Sequence, residues 1–287
     1  MSQPITEVSA WDRGFSLAPF LAGDAGALLG EYAKISPEKI EGHIRAIAKR
    51  GWDKLHYPCF RMYTFLHFDL AQSPIYDEIL SRVRNGSVVF DLGCGLGQDI
   101  RRLVHDGAPP ENIVGLDIYQ EYIDLGFELF RDRDRLSSTT FIAQDFFDCH
   151  LNLGPWANRH KIVNSGYFMH LWNWDGQVQV AKRILEALCL QKDDIIAGVH
   201  FGSTEAGIWN KDPVSQDPMY RHNSKTFSRL WEQVGRETKT RWVVWSTMEH
   251  DKDLVKLDPD GLRLRWREAG MRDKTDNDLE LKLNLRV

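Results

Sequence analysis

Cysteine is scarce in this chain of 287 residues. The four present, Cys59, Cys94, Cys149 and Cys189, form no C-x-x-C pair and no His/Cys spacing suited to a metal. A disulfide framework is therefore excluded, no metal site is expected, and a reduced, cytosolic (cytoplasmic) setting is the simplest reading. A surplus of positive charge is also missing. With 36 basic and 41 acidic side chains the formal charge is −5, which gives no electrostatic ground for a nucleic-acid partner. No window approaches the roughly 18 apolar residues of a membrane span. The opening MSQPITEVSAWDRGF has neither the basic start nor the apolar core of a secretory signal. Internal repeats and low-complexity segments are absent. What is present is an ordinary globular composition, 43% hydrophobic and 27% charged, with an unusual ten tryptophans. Runs such as Arg101-Arg102 and Arg131-Asp132-Arg133-Asp134-Arg135 read as solvated helix faces.

The length suits one large α/β domain with additions, or two small domains. Short β-branched runs at 87–92, 112–117, 139–143, 160–165 and 194–199 predict strands. Helical patterns near 97–106, 119–131 and 175–190 separate them, so the strands form βαβ units in a parallel sheet with helices on both faces. Beyond this core, 201–223 reads as a long loop, 224–235 as a helix, and 239–249 with 261–267 as an antiparallel pair at the sheet's end. Ahead of it, 38–50, 60–70 and 74–84 read as helices. They divide the chain into an N-terminal extension, 1–84, and a ligand-binding domain, 85–287, with the extension either capping the ligand site or packing against the sheet edge.

The most informative stretch is Asp91-Leu92-Gly93-Cys94-Gly95-Leu96-Gly97, which ends the first core strand. Glycines let the backbone turn with positive φ and let a ligand lie on the main chain, and the next helix start offers free N–H groups. The glycine spacing does not fit a dinucleotide fingerprint, and no G-K-[ST] follows for a nucleoside triphosphate. An acid ahead of the glycines repels phosphate and attracts a cation, so the ligand should be adenosine-like with a cationic tail. S-adenosylmethionine meets those requirements. Asp117, ending the second strand, is placed for ribose hydroxyls; Asp145, after the third, for an adenine amino group; Ile118 or Phe146 for the purine face. Cys94 reads as a small residue in a tight turn.

VVFDLGCGLGQDI, GLDIYQEYIDLGFELFRDR, AQDFF and IVNSGYFMHLWNW, in that order, resemble the motif series of class I S-adenosylmethionine-dependent methyltransferases. FELFRDRDRL and MHLWNW are similar to one branch, the fungal methyltransferases of secondary metabolism that act on meroterpenoid and polyketide-derived acids. The resemblance implies an α/β, Rossmann-like class I methyltransferase sheet, mostly parallel with an antiparallel last strand, under an N-terminal helical cap. It also implies that Asp91, Gly93, Gly95 and Gly97 hold the methionine portion, Asp117 and Ile118 the ribose and purine edge, and Asp145 and Phe146 the adenine.

A carboxylate acceptor is ionised at neutral pH and needs no base, whereas a phenol, with a pKa of about 10, benefits from one. The segment Asn164-Ser165-Gly166-Tyr167 departs from the N-P-P-Y pattern of amino methylases. His170 is the candidate base or hydrogen-bond donor. Tyr57, Arg61, Trp172, Trp209 and His222 are the candidate substrate contacts, with His56, Trp174 and Arg221 beside them. The expected activity is O-methylation of a bulky apolar small molecule, at a carboxylate or at a phenol or enol. Two other roles stay open at this level: an isomerase or cyclase keeping the bound sulfonium as a fixed charge, and a non-catalytic regulator. The oligomeric state is also open, a homodimer being one option.

Overall fold

The computed structural model describes residues 15–269 except 152, 157, 191–192 and 211–217. The core strands are β1 (Val88–Leu92), β2 (Ile113–Asp117), β3 (Thr140–Ala143), β4 (Lys161–Asn164) and β5 (Ile195–Ser203). A short ribbon follows, β6 (Gly207–Trp209) with β7 (Met219–Arg221), and then β8 (Val243–His250) and β9 (Gly261–Ala269). Seven of them form one sheet in the order β3-β2-β1-β4-β5-β9-β8. β1 pairs in parallel with β2 and β4, as do β2 with β3 and β4 with β5. Only β9 runs against the rest, inserted between β5 and β8. This is the expected class I arrangement, including the antiparallel last strand.

The helices are α1 (Ala18–Leu21), α2 (Asp24–Glu31), α3 (Pro37–Lys54), α4 (Pro58–Met62), α5 (Tyr76–Arg84), α6 (Gln98–His105), α7 (Gln120–Phe130), α8 (Trp174–Leu188), α9 (Ser224–Thr238) and α10 (Leu254–Leu257). The central strands are buried throughout, as a parallel sheet covered on both faces requires. Val88, Phe90 and Leu92 face α8 and α9, packing with Ile184, Phe227 and Trp231. Val89, Ile113, Ile162 and Ile195 face the other way, onto Ile79 and Val83 of α5 and Ile100 and Leu103 of α6. Each fully buried aliphatic or aromatic side chain of this kind stabilises the fold by roughly 1.5–3 kcal/mol.

The N-terminal segments split between two jobs. α5 packs on a face of the sheet, not its edge, while α1–α4 pack on α7 through Ile44, Ile47, Tyr122, Leu129 and Phe130. The helix expected over 60–70 is broken: α4 stops at Met62, Tyr63 turns left-handed at φ 60, and a single 3-10 turn follows. Arg45 holds that turn by donating to the Tyr63 hydroxyl at 2.8 Å.

The reading of the two charged runs as solvated holds for Arg131, Arg133, Asp134 and Arg135, which are exposed, and is corrected at one residue of each run. Arg101 and Asp132 are buried completely and paired, Nε to Oδ2 at 2.9 Å and Nη2 to Oδ1 at 3.2 Å. The guanidinium lies among Phe127, Phe130 and Phe141, and Tyr32 donates to Asp132 at 2.8 Å, tying the cap to the sheet domain. The 201–223 loop also needs correcting, since β5 runs on to Ser203 and part of the rest forms the β6–β7 ribbon. Residues 211–217 of that loop lie outside the described residues.

Candidate active site

A cavity of about 420 Å³ opens at the carboxyl ends of β1, β2 and β3, where open α/β sheets bind ligands. Its two halves are built differently. The first is made from the loops that leave those strands. Gly93, Gly95 and Gly97 all have positive φ, at 66, 52 and 66°. The turn is pinned by Cys94 N–H donating to the Leu116 carbonyl at 2.9 Å and Gly97 N–H to the Cys94 carbonyl at 2.7 Å. A Cβ on Gly93 would sit 2.7 Å from the Phe168 ring, whereas one on Gly95 would meet no protein atom within 4 Å and project into open space. Gly93, Cys94 and Gly95 line the cavity, while Gly97 sits behind it as the residue before α6.

Asp117 lines the cavity, its carboxylate accepting from Gly95 N–H at 2.8 Å and Tyr119 N–H at 2.9 Å. Burial raises its pKa against those two hydrogen bonds. Asp145 is exposed at the rim, with Oδ1 taken by Phe147 N–H at 2.9 Å. Ile118, 55% exposed, and Phe147, 41% exposed, are apolar surfaces left open at the same rim. Phe146 also lines the cavity but is mostly covered by core packing against Phe168.

Asp91 stands one layer behind the glycines and does not line the cavity. It accepts from Asn164 Nδ2 at 2.7 Å, and the same amide lies 3.5 Å from Asp99. Burial, reinforced by the charge of Asp117, pushes Asp91 up to about 7; burial and the charge of Asp91 push Asp99 well up. The nearby Arg101 spends its donors on Asp132 and on the Leu96 and Gly97 carbonyls. Two crowded acids therefore sit under the loop with no salt-bridged cation among the described residues.

The second half is assembled from insertions: Met62 of α4 and Phe65 just after it, Phe201 of β5, Trp209 and Met219 of the ribbon, and Leu254 with Leu257 of α10. His170, Leu171 and Trp172, between β4 and α8, close the wall. Asn173 fixes where α8 begins by accepting from Gly176 N–H at 2.9 Å. Burial alone pushes the His170 imidazole down to about 3, and its Nδ1 has no hydrogen-bond partner among the described residues. No carboxylate among the described residues is bonded to it, and burial favours the neutral ring. Trp209 is fixed by Nε1–H donating to Asp258 at 3.0 Å.

Sequence reasoning did not single out Tyr167, Asp69 or Asp251, which also line this half. Tyr167 has φ 50, a left-handed conformation that costs a non-glycine residue on the order of 1 kcal/mol. The turn is held by Tyr167 N–H donating to the Val199 carbonyl at 2.8 Å. Asp69 and Asp251 are both ion-paired with Arg263 of β9.

Other predicted contacts lie elsewhere. Tyr57 lines the cavity beside Tyr122, but Arg61 does not; its guanidinium faces the Phe15 ring at 5.9 Å. His222 is fully buried behind the wall, bonded through Nδ1 to Thr226 at 3.1 Å and packed on Trp174. Arg221 pairs with Asp258 at 3.6 Å and covers Phe201 and Trp209 from outside. His56 packs edge-on against Trp52, and Trp174 donates to Gln233 at 2.8 Å.

Residues 15–66 match the model of the meroterpenoid methyltransferase N-terminal domain. The chain is 34% identical over 248 residues to the O-methyltransferase phiE of Fungal sp., covering 86% of this chain and 82% of that one. It is 36% identical over 247 residues to the O-methyltransferase atr3 of Stereocaulon alpinum, covering 85% and 69% respectively. The Asnovolin E/Chermesin D methyltransferase nvfJ of Aspergillus novofumigatus is 34% identical over 234 residues, covering 80% and 83%. Among solved structures, the methyltransferase domain of bacterial CtHen1 gives a TM-score of 0.48 at 14% identity, over 71% of this chain and 100% of that one. With this extent of likeness to curated enzymes, the chain belongs to the family of fungal secondary-metabolite methyltransferases.

Proposed function

We propose that this enzyme is an S-adenosylmethionine-dependent O-methyltransferase that esterifies the carboxylate of a bulky apolar small molecule. The observation that carries the carboxylate over the phenol is the state of His170. A ring that burial holds near pKa 3, with no acid among the described residues to support it, is too weak a base to take the proton of a phenol. A carboxylate needs no such transfer. The apolar wall of Met62, Phe65, Phe201, Trp209 and Met219 suits a bulky hydrophobic scaffold around that acid.

S-adenosylmethionine, when bound, supplies an electrophilic methyl group on sulfur. The chain's own residues bind and orient. Gly93 and Gly95 admit the methionine portion, and Gly97 holds the turn behind them. Asp91, which ionises near neutral pH, gives that end of the site a field that favours an ammonium without touching it directly. Asp117 keeps lone pairs for the ribose hydroxyls beyond the two N–H groups it already accepts from. Asp145 has no partner at Oδ2 among the described residues and offers it to the adenine amino group, with Ile118 and Phe147 flanking the purine. The cap and ribbon keep water from the acceptor, which sharpens in-line attack by its oxygen.

The test is methyl-labelled S-adenosylmethionine with purified protein and a panel of lipophilic carboxylic acids and phenols. Label should appear in products that mild alkali cleaves, as it does esters. Label only in alkali-stable ethers would overturn the carboxylate reading. A product of unchanged mass with no S-adenosylhomocysteine formed would point to an isomerase.

A further inference from the structure

Among the described residues, Tyr167 is the hydroxyl of the acceptor half that a buried network holds from behind while leaving its proton unused. Arg263 donates through Nε to the Tyr167 oxygen at 3.3 Å. The guanidinium is itself clamped: Nη1 lies 3.5 Å from Asp69 and 3.3 Å from Gln72, and Nη2 reaches Asp251 and, at 3.3 Å, the His67 ring. Arg265, which donates to the Asp69 carbonyl at 2.7 Å and to Glu249 at 2.9 Å, braces the same cluster. Arg263 is thus saturated and not free to grip an acid. Its effect reaches the cavity through the tyrosine oxygen, whose lone pair it occupies. The O–H proton of Tyr167 has no acceptor among the described residues, and the side chain lines the cavity with its ring 5.4 Å from that of His170.

Resting on the carboxylate reading above, we propose that Tyr167 is the residue that positions the acceptor, donating its hydroxyl proton to one carboxylate oxygen while the other is turned to the methyl group, with Arg263 as the positioning residue behind it. A hydroxyl already accepting from a guanidinium is a stronger donor, and burial keeps this phenol protonated well past neutrality. The left-handed backbone at Tyr167, held by the Val199 carbonyl, aims the side chain where a relaxed residue would not.

The test uses the full chain, 1-naphthoic and abietic acids as lipophilic carboxylate probes, and labelled S-adenosylmethionine. Tyr167→Phe should lower kcat/KM for the acids about 10- to 100-fold, the value of one hydrogen bond to a charged acceptor. Acid affinity for the S-adenosylhomocysteine complex should fall in parallel, while S-adenosylhomocysteine affinity stays unchanged. If the variant melts lower, the ratio of the two affinities in the folded fraction still reads the effect. Unchanged acid kinetics would overturn the proposal, as would an equal loss of both affinities, which marks a structural role. A wild type that binds S-adenosylhomocysteine but methylates neither acid overturns the carboxylate reading, and the proposal with it.

Discussion

The two halves of the cavity solve one problem, holding a ligand against a rigid frame, by opposite means. The cofactor half uses main chain: glycines 93, 95 and 97 and the N–H groups of Gly95, Tyr119 and Phe147, all within a few residues of a strand end. The acceptor half uses side chains from the cap, the ribbon and α10, backed by β9 through buried polar ties across nearly 200 residues of sequence, as in the ion pair of Arg263 with Asp69 and its hydrogen bond to His67. A frame of backbone turns tolerates change everywhere except at the turns. A frame of side-chain ties is open to remodelling for new acceptors and depends on each tie.

Substitutions that cut a tie should therefore cost most. Asp132→Ala strands the buried Arg101 and frees Tyr32 of the cap, and should destabilise the protein by about 3–5 kcal/mol in urea denaturation. A loss under 1 kcal/mol would mean that the cap does not depend on this pair.

In the cofactor half, Gly95→Val should act on binding instead. A Cβ there meets no protein atom within 4 Å and projects into the cradle, so S-adenosylmethionine affinity should drop about a hundredfold, roughly 2.7 kcal/mol. The fold should lose about 1–3 kcal/mol, because the left-handed backbone at this position is strained for a β-branched residue. Calorimetry and thermal melting separate the two effects, and near-native affinity would remove Gly95 from the site.

A smaller effect distinguishes the halves by pH. Asp91 sits near pKa 7 in the free protein, and a bound ammonium should lower it. Binding then releases a proton when the pH lies below about 7, so affinity should rise as pH climbs from 5.5 to 7 and level off above. The expected change is about tenfold over that range, read by titration calorimetry at several pH values. In Asp91→Asn the slope should vanish.

The difference between the halves also explains what could be read in the sequence. Asp91, the glycines, Asp117 and Asp145 lie at the ends of strands with plain β-branched patterns, so motif and position came together in one short window each. The alternating runs of β8 and β9 announced an antiparallel pair, yet nothing local marked Arg263 as the one facing the cavity wall. Ribbon strands of three residues are too short to show a period, and Met62, Phe201, Trp209 and Leu254 converge only in the folded chain. Tyr167 lay inside a quoted segment, but its left-handed backbone depends on a hydrogen bond to β5. Arg101 and Asp132 were misread because charge runs are usually solvated; the phenylalanines at 127, 130 and 141 that bury this pair are scattered over another helix and strand.

Under the proposed function, the acceptor half works on an oxygen already ionised and supplies no base. The pH dependence of kcat for acid methylation, measured with S-adenosylmethionine and acid both saturating, tests it most directly. With His170 near pKa 3 and a carboxylic acid near about 4, kcat should be flat from pH 6 to 9. A kcat that rises through a single ionisation between pH 6 and 8 would contradict the carboxylate proposal, because it would show a base at work.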